Sequence, residues 1–257
     1  MNKKKVAIVT GTATGIGKAC AQMFARKDYC VGMLDINEID GRKTEQEILK
    51  EGGDAFFIPC DVAVEASVKT AVNQVVEEYN GIDVLVNNAG IVLVRPFDEI
   101  EWTDFLRVVN VNLGGTFLLC KYVLPIMKSS KSGSIVNMAS VSGHVGQTEH
   151  VVYGATKGAI LSLTRALAWE VAKWNIRVNS ISPGSVDTPM LRSDISLEAS
   201  RTMKSFEEVK KIREAEQAFN RWADPMEIAE AVYFFASDAA SFITGSDLLV
   251  DCGWVAK

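Results

Sequence analysis

The amino-acid sequence predicts an α/β protein built on one doubly wound parallel sheet of about seven strands, with helices on both faces. Short apolar runs without polar alternation recur along the chain, as in strands that are buried on both faces. Longer segments with helical periodicity separate these runs, and a glycine-rich segment joins the first strand to the first helix. Hydrophobic residues make up 48% of the 257 residues and no linker divides them, so we expect one domain over residues 1–257.

Seven apolar runs are predicted as strands. In chain order they cover residues 6–9, 30–34, 55–60, 84–86, 134–138, 176–181 and 247–251. Helical periodicity follows the glycine-rich segment over residues 17–27 and appears again over residues 153–170. Because a doubly wound sheet binds its ligands at the carboxyl ends of its strands, the residues that follow these runs are the candidates for a functional site.

Residues 190–220 do not fit this alternation. The segment is charged, lacks a strand pattern and carries Phe206, Val209, Ile212 and Phe219 at roughly helical spacing. One interpretation is a solvated helical insertion, and the other is a substrate lid over the ligand site. The position of the segment makes the second interpretation at least as strong, and we expect Met190 to contact the substrate.

Charge and composition exclude several classes of function. The net charge of −5 provides no basic surface for nucleic acid, and the basic cluster Lys3-Lys4-Lys5 is interpreted as a solvated terminus. No run approaches the length of a membrane-spanning helix, and the first apolar run is too short for a signal peptide. Five scattered cysteines without a CxxC pair are typical of free thiols in a reducing cytoplasm. We therefore expect a cytoplasmic protein that binds no nucleic acid, membrane or metal.

The glycine-rich segment is suited to bind phosphate. Gly11, Gly15 and Gly17 lie between a strand and a helix, where glycine permits a tight turn and close approach of a ligand to the backbone. The N–H groups at the start of the helix, near Thr14 and Ile16, would then face the anion. Three glycines alone are a weak signal, but this context favours a pyrophosphate site over a glycine turn without a ligand.

Asp35 ends the second predicted strand and bears on the choice of cofactor. A carboxylate there accepts hydrogen bonds from the adenosine ribose and repels the additional phosphate of NADP. Neither Ile36 nor Asn37 supplies a positive charge, and Thr14 supplies none. The other interpretation is an aspartate that caps the turn after the strand. We expect NAD as the cofactor, with Ile36 beside the adenosine.

Residues after the third and fourth strands complete the predicted cofactor site. Asp61 and Val62 follow the third strand, where an adenine edge could be held. Asn88, Ala89 and Gly90 follow the fourth strand and leave room for the cofactor. Each of the five also fits an ordinary turn, so the prediction depends on their shared position at one edge of the sheet.

Tyr153 and Lys157 are candidates for proton transfer. Their separation of four residues in a helical run puts both on one helical face. The pKa of a free tyrosine is near ~10, and a neighbouring ammonium together with a nicotinamide ring would lower it. A tyrosine and a lysine at this spacing are more often surface residues. Ser140, just after the fifth strand, favours a site, because its hydroxyl can hydrogen-bond a substrate carbonyl as charge develops.

Together these motifs resemble the short-chain dehydrogenase/reductase family in its single-domain, Rossmann-like form. The resemblance covers nearly the whole chain, and the motifs in this order are highly specific. It rests on segments 10–17, 87–90, 111–112, 179–184, 221–225 and 244–245, together with Ser140, Tyr153 and Lys157. Cys252 departs from the pattern where glycine is usual, and Ala139 where a second serine is common, but neither departure removes a catalytic candidate.

The resemblance implies roles that spacing alone does not give. Tyr153 would be the general acid/base, and Lys157 would hold the nicotinamide ribose and lower the pKa of the tyrosine. Ser140 would orient the substrate oxygen. Asn112 would anchor a water in a proton relay, with Asn110 as its rival. The nicotinamide carboxamide would be held after the sixth strand by Val186 and Thr188, behind Pro183 and Gly184.

The resemblance also implies the reaction and the assembly. The protein would interconvert a secondary alcohol and a ketone with NAD(H), and relatives are commonly homotetramers paired through long helices. Residues 112–127 and 155–174 are apolar enough for that pairing, although a monomer could bury them against its own sheet. A catalytically silent NAD-binding sensor or scaffold is the alternative of another class. Such proteins usually lose the tyrosine or the lysine, and this chain keeps both.

Polar residues between the catalytic candidates bear on the substrate. The two histidines of the chain, His144 and His150, lie between the serine and the tyrosine with Gln147, and Arg95 is close enough in sequence to reach the same cavity. A pocket lined by these groups would reject analogues that lack polar partners. The substrate would then be a sugar, polyol or other small polar hydroxy compound, ahead of a hydroxysteroid or 3-oxoacyl thioester. Exposed or loop-bracing histidines are the other interpretation.

Overall fold

The computed structural model describes residues 4–257, so Lys3 of the basic cluster lies outside the described residues. The strands form one seven-stranded parallel sheet in the order β3-β2-β1-β4-β5-β6-β7. They are β1 Val6–Thr10, β2 Cys30–Asp35, β3 Asp54–Pro59, β4 Val84–Asn87, β5 Gly133–Met138, β6 Ile176–Pro183 and β7 Asp247–Val250. The predicted doubly wound α/β fold is confirmed, and the strand order reverses between β1 and β4.

Helices cover both faces of this sheet. They are α1 Gly15–Arg26, α2 Glu38–Lys50, α3 Glu65–Tyr79, α4 Trp102–Val109, α5 Gly115–Ser130, α6 Val151–Val171, α7 Pro189–Thr202, α8 Phe206–Glu214 and α9 Pro225–Ala236. Successive strand residues point to opposite faces. On β1, Ala7 and Val9 therefore join the core under α1 and α9. Val6 and Ile8 join the core under α3, α5 and α6.

A continuous helical stretch, Trp102–Ser130, combines α4 and α5 through a π-helical segment, Asn110–Gly114. By length and composition alone this stretch could cross a membrane. In the fold, Leu119, Val123 and Met127 of α5 are fully buried in the core beside the sheet. Packing inside the domain therefore accounts for part of the apolar character of the stretch.

The chain after β6 leaves the sheet and returns to it as a closed loop. Val186 and Ala223 form an isolated bridge, in which the Asp187 N–H donates to the Ala223 carbonyl and the Ala223 N–H donates to the Ser185 carbonyl, each at 2.9 Å. Within the loop, α7 and α8 enclose a small core of their own, formed by Ile195, Ala199, Val209 and Trp222. The predicted helical spacing ends with α8, because Phe219 lies beyond that helix and is exposed.

The cysteines of the chain are free thiols. Four are buried and one is partly exposed: Cys20, Cys30, Cys60 and Cys120, then Cys252. Burial raises the pKa of the Cys20 and Cys120 thiols to about 12, which leaves them as packing groups. Among residues 4–257, no group of three or more His, Cys, Asp or Glu residues is placed to hold a metal ion.

Glycines let α1 approach the end of β1. Gly11 and Gly15 have φ angles of +72° and +57°, in the left-handed region that favours glycine. Gly17 lies inside α1, and a Cβ atom there would be 1.9 Å from the carbonyl oxygen of Gly11. The helix can therefore rest on the turn only if residue 17 has no side chain.

We expect Gly17→Ala to lower stability and weaken dinucleotide binding, because backbone atoms must move to admit a methyl group. Overpacking of this kind costs about 1–3 kcal/mol, which urea unfolding would measure. Gly158→Ala is the matched control, since a Cβ atom there would lie 3.7 Å from the Gly143 carbonyl oxygen and alanine favours a helix. Equal stability of the two variants would contradict the packing argument.

Candidate active site

A cavity opens at the carboxyl ends of the central strands, beside the reversal of strand order and below α7. This is where a doubly wound sheet binds its ligands. Most of the predicted site residues line it: Gly11, Thr14, Gly15, Ile16, Asp35, Asn88, Ala89, Gly90, Ser140, Gln147, His150, Tyr153, Lys157, Pro183, Gly184, Val186, Thr188 and Met190. The fold thus brings residues from segments between β1 and α7 together around one cavity.

Other predicted cofactor residues support this cavity or lie beside it. Gly17 is buried under the glycine turn. Ile36 is 71% exposed. The Asp61 carboxylate accepts a hydrogen bond from the Ala63 N–H at 2.9 Å, so it caps a turn. Val62 is buried, and its side chain lies within 3 Å of where a Cβ atom on Gly115 would sit. None of these four lines the cavity.

The start of α1 faces the cavity as an anion site. Thr14 precedes the helix with extended backbone and makes no side-chain capping bond, so the first-turn N–H groups can serve a ligand. A side chain at Gly11 would come within 2.8 Å of the Asn88 Nδ2 atom. The turn is therefore a cradle that only glycine leaves open, and its shape fits a pyrophosphate.

Asn88 holds the two strands on either side of this crevice. Its Nδ2 donates to the Thr10 carbonyl at 2.9 Å. The N–H groups of Asn88 and Ala89 both donate to the Thr10 hydroxyl oxygen, each at 2.9 Å. These bonds fix the end of β4 against the end of β1, where the strand order of the sheet reverses.

Asp35 both caps a turn and lines the cavity. Its carboxylate accepts hydrogen bonds from the N–H groups of Ala13 and Asn37, each at 2.8 Å. The side chain is only partly buried, so it retains acceptor capacity toward the cavity. The two interpretations of Asp35 from the sequence are therefore compatible.

Lys157 is a buried cation on α6. Its side chain is about 4% exposed, and its Nζ donates to the Met138 carbonyl at 2.7 Å. Burial lowers the pKa of this ammonium to about 8, because desolvation penalises the charged form. The Nζ lies 5.5 Å from the centre of the Tyr153 ring, as the four-residue spacing predicts.

The pKa of Tyr153 is raised in this structure. Burial raises its pKa above the usual value, the negative charge of Asp194 adds to that effect, and a hydrogen bond with Ser140 opposes it. We predicted that the lysine together with a nicotinamide ring would lower this pKa, and for the site with bound cofactor that stays a prediction. In this structure the lysine donates to a carbonyl rather than to the phenol, and desolvation of the phenolate dominates.

Ser140 begins a short 3₁₀ turn, Val141–Gly143, after β5. Its hydroxyl oxygen accepts from the Ser142 N–H and donates to the Ser142 hydroxyl, each at 3.2 Å. The Ser142 hydroxyl in turn donates to the Gln147 side-chain oxygen. A hydroxyl chain therefore runs along the cavity wall from Ser140 to Gln147.

Asn112 occupies the π-helical segment and is buried, whereas its rival Asn110 is exposed. Its Oδ1 accepts from the Ile91 N–H at 2.8 Å, and its Nδ2 donates to the Ile91 carbonyl and to the Thr156 hydroxyl. It does not line the cavity. The side chain thus ties the chain after β4 to α6 one residue from Lys157, and π-helical segments recur at functional sites.

Comparison with known proteins places this fold and site in a family. The model of a family described as enoyl-(acyl carrier protein) reductase matches residues 11–255. The cyclopentanol dehydrogenase of Comamonas sp. is 36% identical over 98% of each chain. The cis-4-hydroxycyclohexanecarboxylate dehydrogenase of Sinomonas cyclohexanicum is 38% identical over 98% of this chain and 97% of its own.

This chain belongs to the short-chain dehydrogenase/reductase family. A crystal structure of an actinorhodin polyketide ketoreductase variant with NADPH superposes with a TM-score of 0.96, at 33% identity, over 99% of this chain and 98% of that one. Levodione reductase gives a TM-score of 0.93 at 30% identity over 98% of both chains. The family fold binds a nicotinamide nucleotide, and the relatives act on hydroxyl or ketone groups.

Two predicted substrate residues of this dehydrogenase/reductase lie elsewhere, which corrects the prediction. The His144 Nε2 is 2.9 Å from the Asp247 carboxylate and 3.1 Å from the Ser182 hydroxyl, so the ring braces its loop against β6 and β7. Arg95 donates to the Asp104 carboxylate at 2.8 Å. Neither lines the cavity, because each side chain is directed to a carboxylate that sequence distance alone does not reveal.

The closed loop and the C-terminal segment contribute cavity residues that were not predicted from the sequence. Asp194 on α7, Arg213 on α8 and Trp254 near the C-terminus line the cavity. Only a lid over residues 190–220 was predicted, and no periodic signal distinguishes one charged residue of that segment from another.

We expect Lys157→Met to abolish turnover and increase stability at neutral pH. A lysine pKa lowered from 10.5 to about 8 corresponds to a folding cost on the order of 3 kcal/mol. The full cost applies below pH about 8 and disappears as pH rises toward 10.5. The stability gain over wild type should therefore shrink between these values, as thermal unfolding across pH would show.

Lys43→Met, at an exposed position on α2, is the control for this change. It should alter neither turnover nor the pH dependence of stability. A Lys157→Met protein that is less stable than wild type at pH 7 would show that the Met138 hydrogen bond outweighs the cost of burying the ammonium.

Proposed function

We propose that this protein is an NAD(H)-dependent oxidoreductase that interconverts a small polar secondary alcohol and the corresponding ketone. The observation that carries the proposal is the convergence of Ser140, Tyr153 and Lys157 on a cavity that also reaches the glycine turn and Asp35. A catalytically silent sensor would need the cofactor residues but not this group of proton-bearing side chains.

The chain's own residues supply the proton chemistry. Tyr153 holds the proton that reaches the substrate oxygen in reduction, and it accepts the alcohol proton in oxidation. The Ser140 hydroxyl, which donates to Ser142 in this structure, would turn to donate a hydrogen bond to the same oxygen as negative charge develops. Lys157 provides a positive charge 5.5 Å from the tyrosine ring, which favours the phenolate. A bound nicotinamide supplies or accepts the hydride.

Preference for NAD rests on Asp35. The carboxylate lines the cavity at the end of β2, where it would accept ribose hydroxyl bonds and repel a 2′-phosphate. The glycine turn and first helical turn would hold the pyrophosphate. Val186 and Thr188 would face the nicotinamide, with Asn112 anchoring a relay water. One solved relative contains NADPH, so membership of the family does not by itself decide between the two nucleotides.

The proposed substrate is a sugar, polyol or other small hydroxylated compound. The relatives named above act on cyclopentanol and on a hydroxycyclohexanecarboxylate, both small cyclic alcohols. His150 and Gln147 line the cavity with the apolar Val92, Val141 and Met190. This mixture suits a compact ring with polar substituents better than a steroid or a long acyl thioester, which remain the alternatives.

Assembly and location are proposed with the same function. Exposed aromatic residues lie on the two long helices that would pair in a tetramer: Phe117 on α5 is 55% exposed and Trp169 on α6 is 88% exposed. Burial of such side chains at an interface is favourable. Free cysteines fit a reducing cytoplasm.

Tyr153→Phe should reduce turnover by roughly a hundredfold or more, the usual size of a general acid/base effect, while NADH still binds. NADH absorbance with a panel of secondary alcohols measures the first, and NADH fluorescence measures the second. Tyr122→Phe makes the same change at a tyrosine of α5 that donates to Glu65 and should keep full activity. Near-normal turnover in Tyr153→Phe would overturn the assignment.

Asp35→Ala should narrow the preference for NAD over NADP, mainly by raising KM for NAD roughly tenfold as ribose hydrogen bonds are lost. Steady-state kinetics with both nucleotides provide the measurement. Asp35→Asn removes the charge at nearly the same shape, although its one oxygen can accept from only one of the Ala13 and Asn37 N–H groups. Asp238→Ala, an exposed surface change, is the control. Equal use of both nucleotides by the wild-type enzyme would contradict this role.

A further inference from the structure

Asp194 is a buried carboxylate without a complete set of partners. It lies on α7, is 7% exposed and lines the cavity. Its Oδ1 is shielded from solvent and has no hydrogen-bond partner among the described residues. A buried carboxylate oxygen in this state is costly. Because Asp194 itself lines the cavity, a small rotation of its side chain on ligand binding would bring this oxygen to a donor on the ligand.

The other carboxylate oxygen faces His150. The His150 Nδ1 lies 2.7 Å from the Thr148 carbonyl, which only accepts, so Nδ1 carries a proton. Nε2 is 3.7 Å from Asp194 Oδ2, an ion-pair distance too long for a hydrogen bond. Burial lowers the pKa of His150, but Asp194 and the Thr148 carbonyl outweigh it and raise the pKa above its usual value.

Arg213 does not complete Asp194 either. Its guanidinium donates to Glu198 at 3.0 and 2.7 Å and lies 3.7 Å from Glu216. Its positive charge is thus committed to two other carboxylates, although it lines the cavity. What this end of the cavity lacks is a donor for Asp194, so an anionic substituent would be the wrong partner.

The Asp194 carboxylate lies on the same side of the cavity as Tyr153. The His150 ring centre is 6.4 Å from that of Tyr153, and the same ring pairs with Asp194. The guanidinium of Arg213, which lines the same cavity, would repel a ligand ammonium group. A neutral hydroxyl is the donor that satisfies Asp194 without this repulsion.

We propose that Asp194 is a specificity-determining residue that accepts a hydrogen bond from a second hydroxyl group of the substrate. The enzyme then selects diols and polyols over otherwise identical compounds with one hydroxyl. This proposal rests on the proposed function and narrows its substrate class. The mono-hydroxy compound leaves the carboxylate without a donor, and a site built around a hydrogen bond discriminates strongly against such an analogue.

The test compares matched pairs of alcohols with NAD: cyclohexanol against the cyclohexanediol isomers, and sec-butanol against the butanediols. The wild-type kcat/KM should favour at least one diol over its mono-hydroxy partner by roughly tenfold or more, the size expected for one buried hydrogen bond. In Asp194→Leu, which is similar in size and cannot accept, the ratio should fall to about one or reverse. The change should come mainly from the KM of the diol.

Glu198→Gln is the matched control. Glu198 lies one turn further along α7 and bonds to Arg213 rather than lining the cavity. The Glu198→Gln change removes one negative charge from the same helix, and should leave the ratio of diol to mono-hydroxy activity unchanged. Asp194→Asn keeps an oxygen acceptor and should retain part of the ratio, and NADH fluorescence reports whether each variant is folded.

The outcomes separate the two proposals. A wild-type ratio near one, or a ratio that survives in folded Asp194→Leu, overturns the role of Asp194 while alcohol oxidation stands. A ratio that Glu198→Gln abolishes equally also overturns it, since loosening of the helix would then be the cause. Failure of every alcohol to produce NADH overturns the proposed reaction and, with it, the role of Asp194.

Discussion

Hydrogen bonds from Asn88 and Ala89 to Thr10 join the carboxyl ends of β1 and β4, the point on which the site depends. Between β1 and β4 the order of the sheet reverses, and the connections leave in opposite directions. The two strands pair through their backbones, and three bonds to the Thr10 carbonyl and hydroxyl, each at 2.9 Å, extend this pairing beyond the strand ends. The same contact positions the glycine turn and the end of β4, so the proposed cofactor site depends on hydrogen bonds that also join the two strands.

Elements that depend on local pattern were predictable from the sequence. Each strand was located because residues buried on both faces leave an uninterrupted apolar run, and α6 because its tyrosine and lysine share one face. Contacts that depend on the meeting of distant segments were not predictable. His144 pairs with Asp247 across 103 positions of sequence, and no spacing rule links the two. No sequence pattern marks Asp194 as a site residue, because its place on the cavity wall depends on how α7 packs.

The direction of the Tyr153 pKa shows a second kind of limit. The sequence correctly suggests a lysine one helical turn away, but the number of charges near a group does not decide its pKa. Burial opposes the phenolate and also lowers the pKa of Lys157. Burial of Tyr153 and Lys157 is therefore unfavourable for their charged forms. The two large apolar cores, one on each face of the sheet, supply the compensating stability.

The bridge between Val186 and Ala223 makes the intervening chain a module. Both ends of the loop are fixed at the same place on the sheet, and α7 and α8 have their own core, apart from the cores under the sheet. The number of residues between these ends can change at little cost in loop-closure entropy, provided that contacts such as those of Arg201 with Glu149 and of the Ala218 N–H with the Cys252 carbonyl are kept. Changes in this module would therefore reshape one wall of the cavity and leave in place the opposite wall, where Ser140, Tyr153 and Lys157 lie.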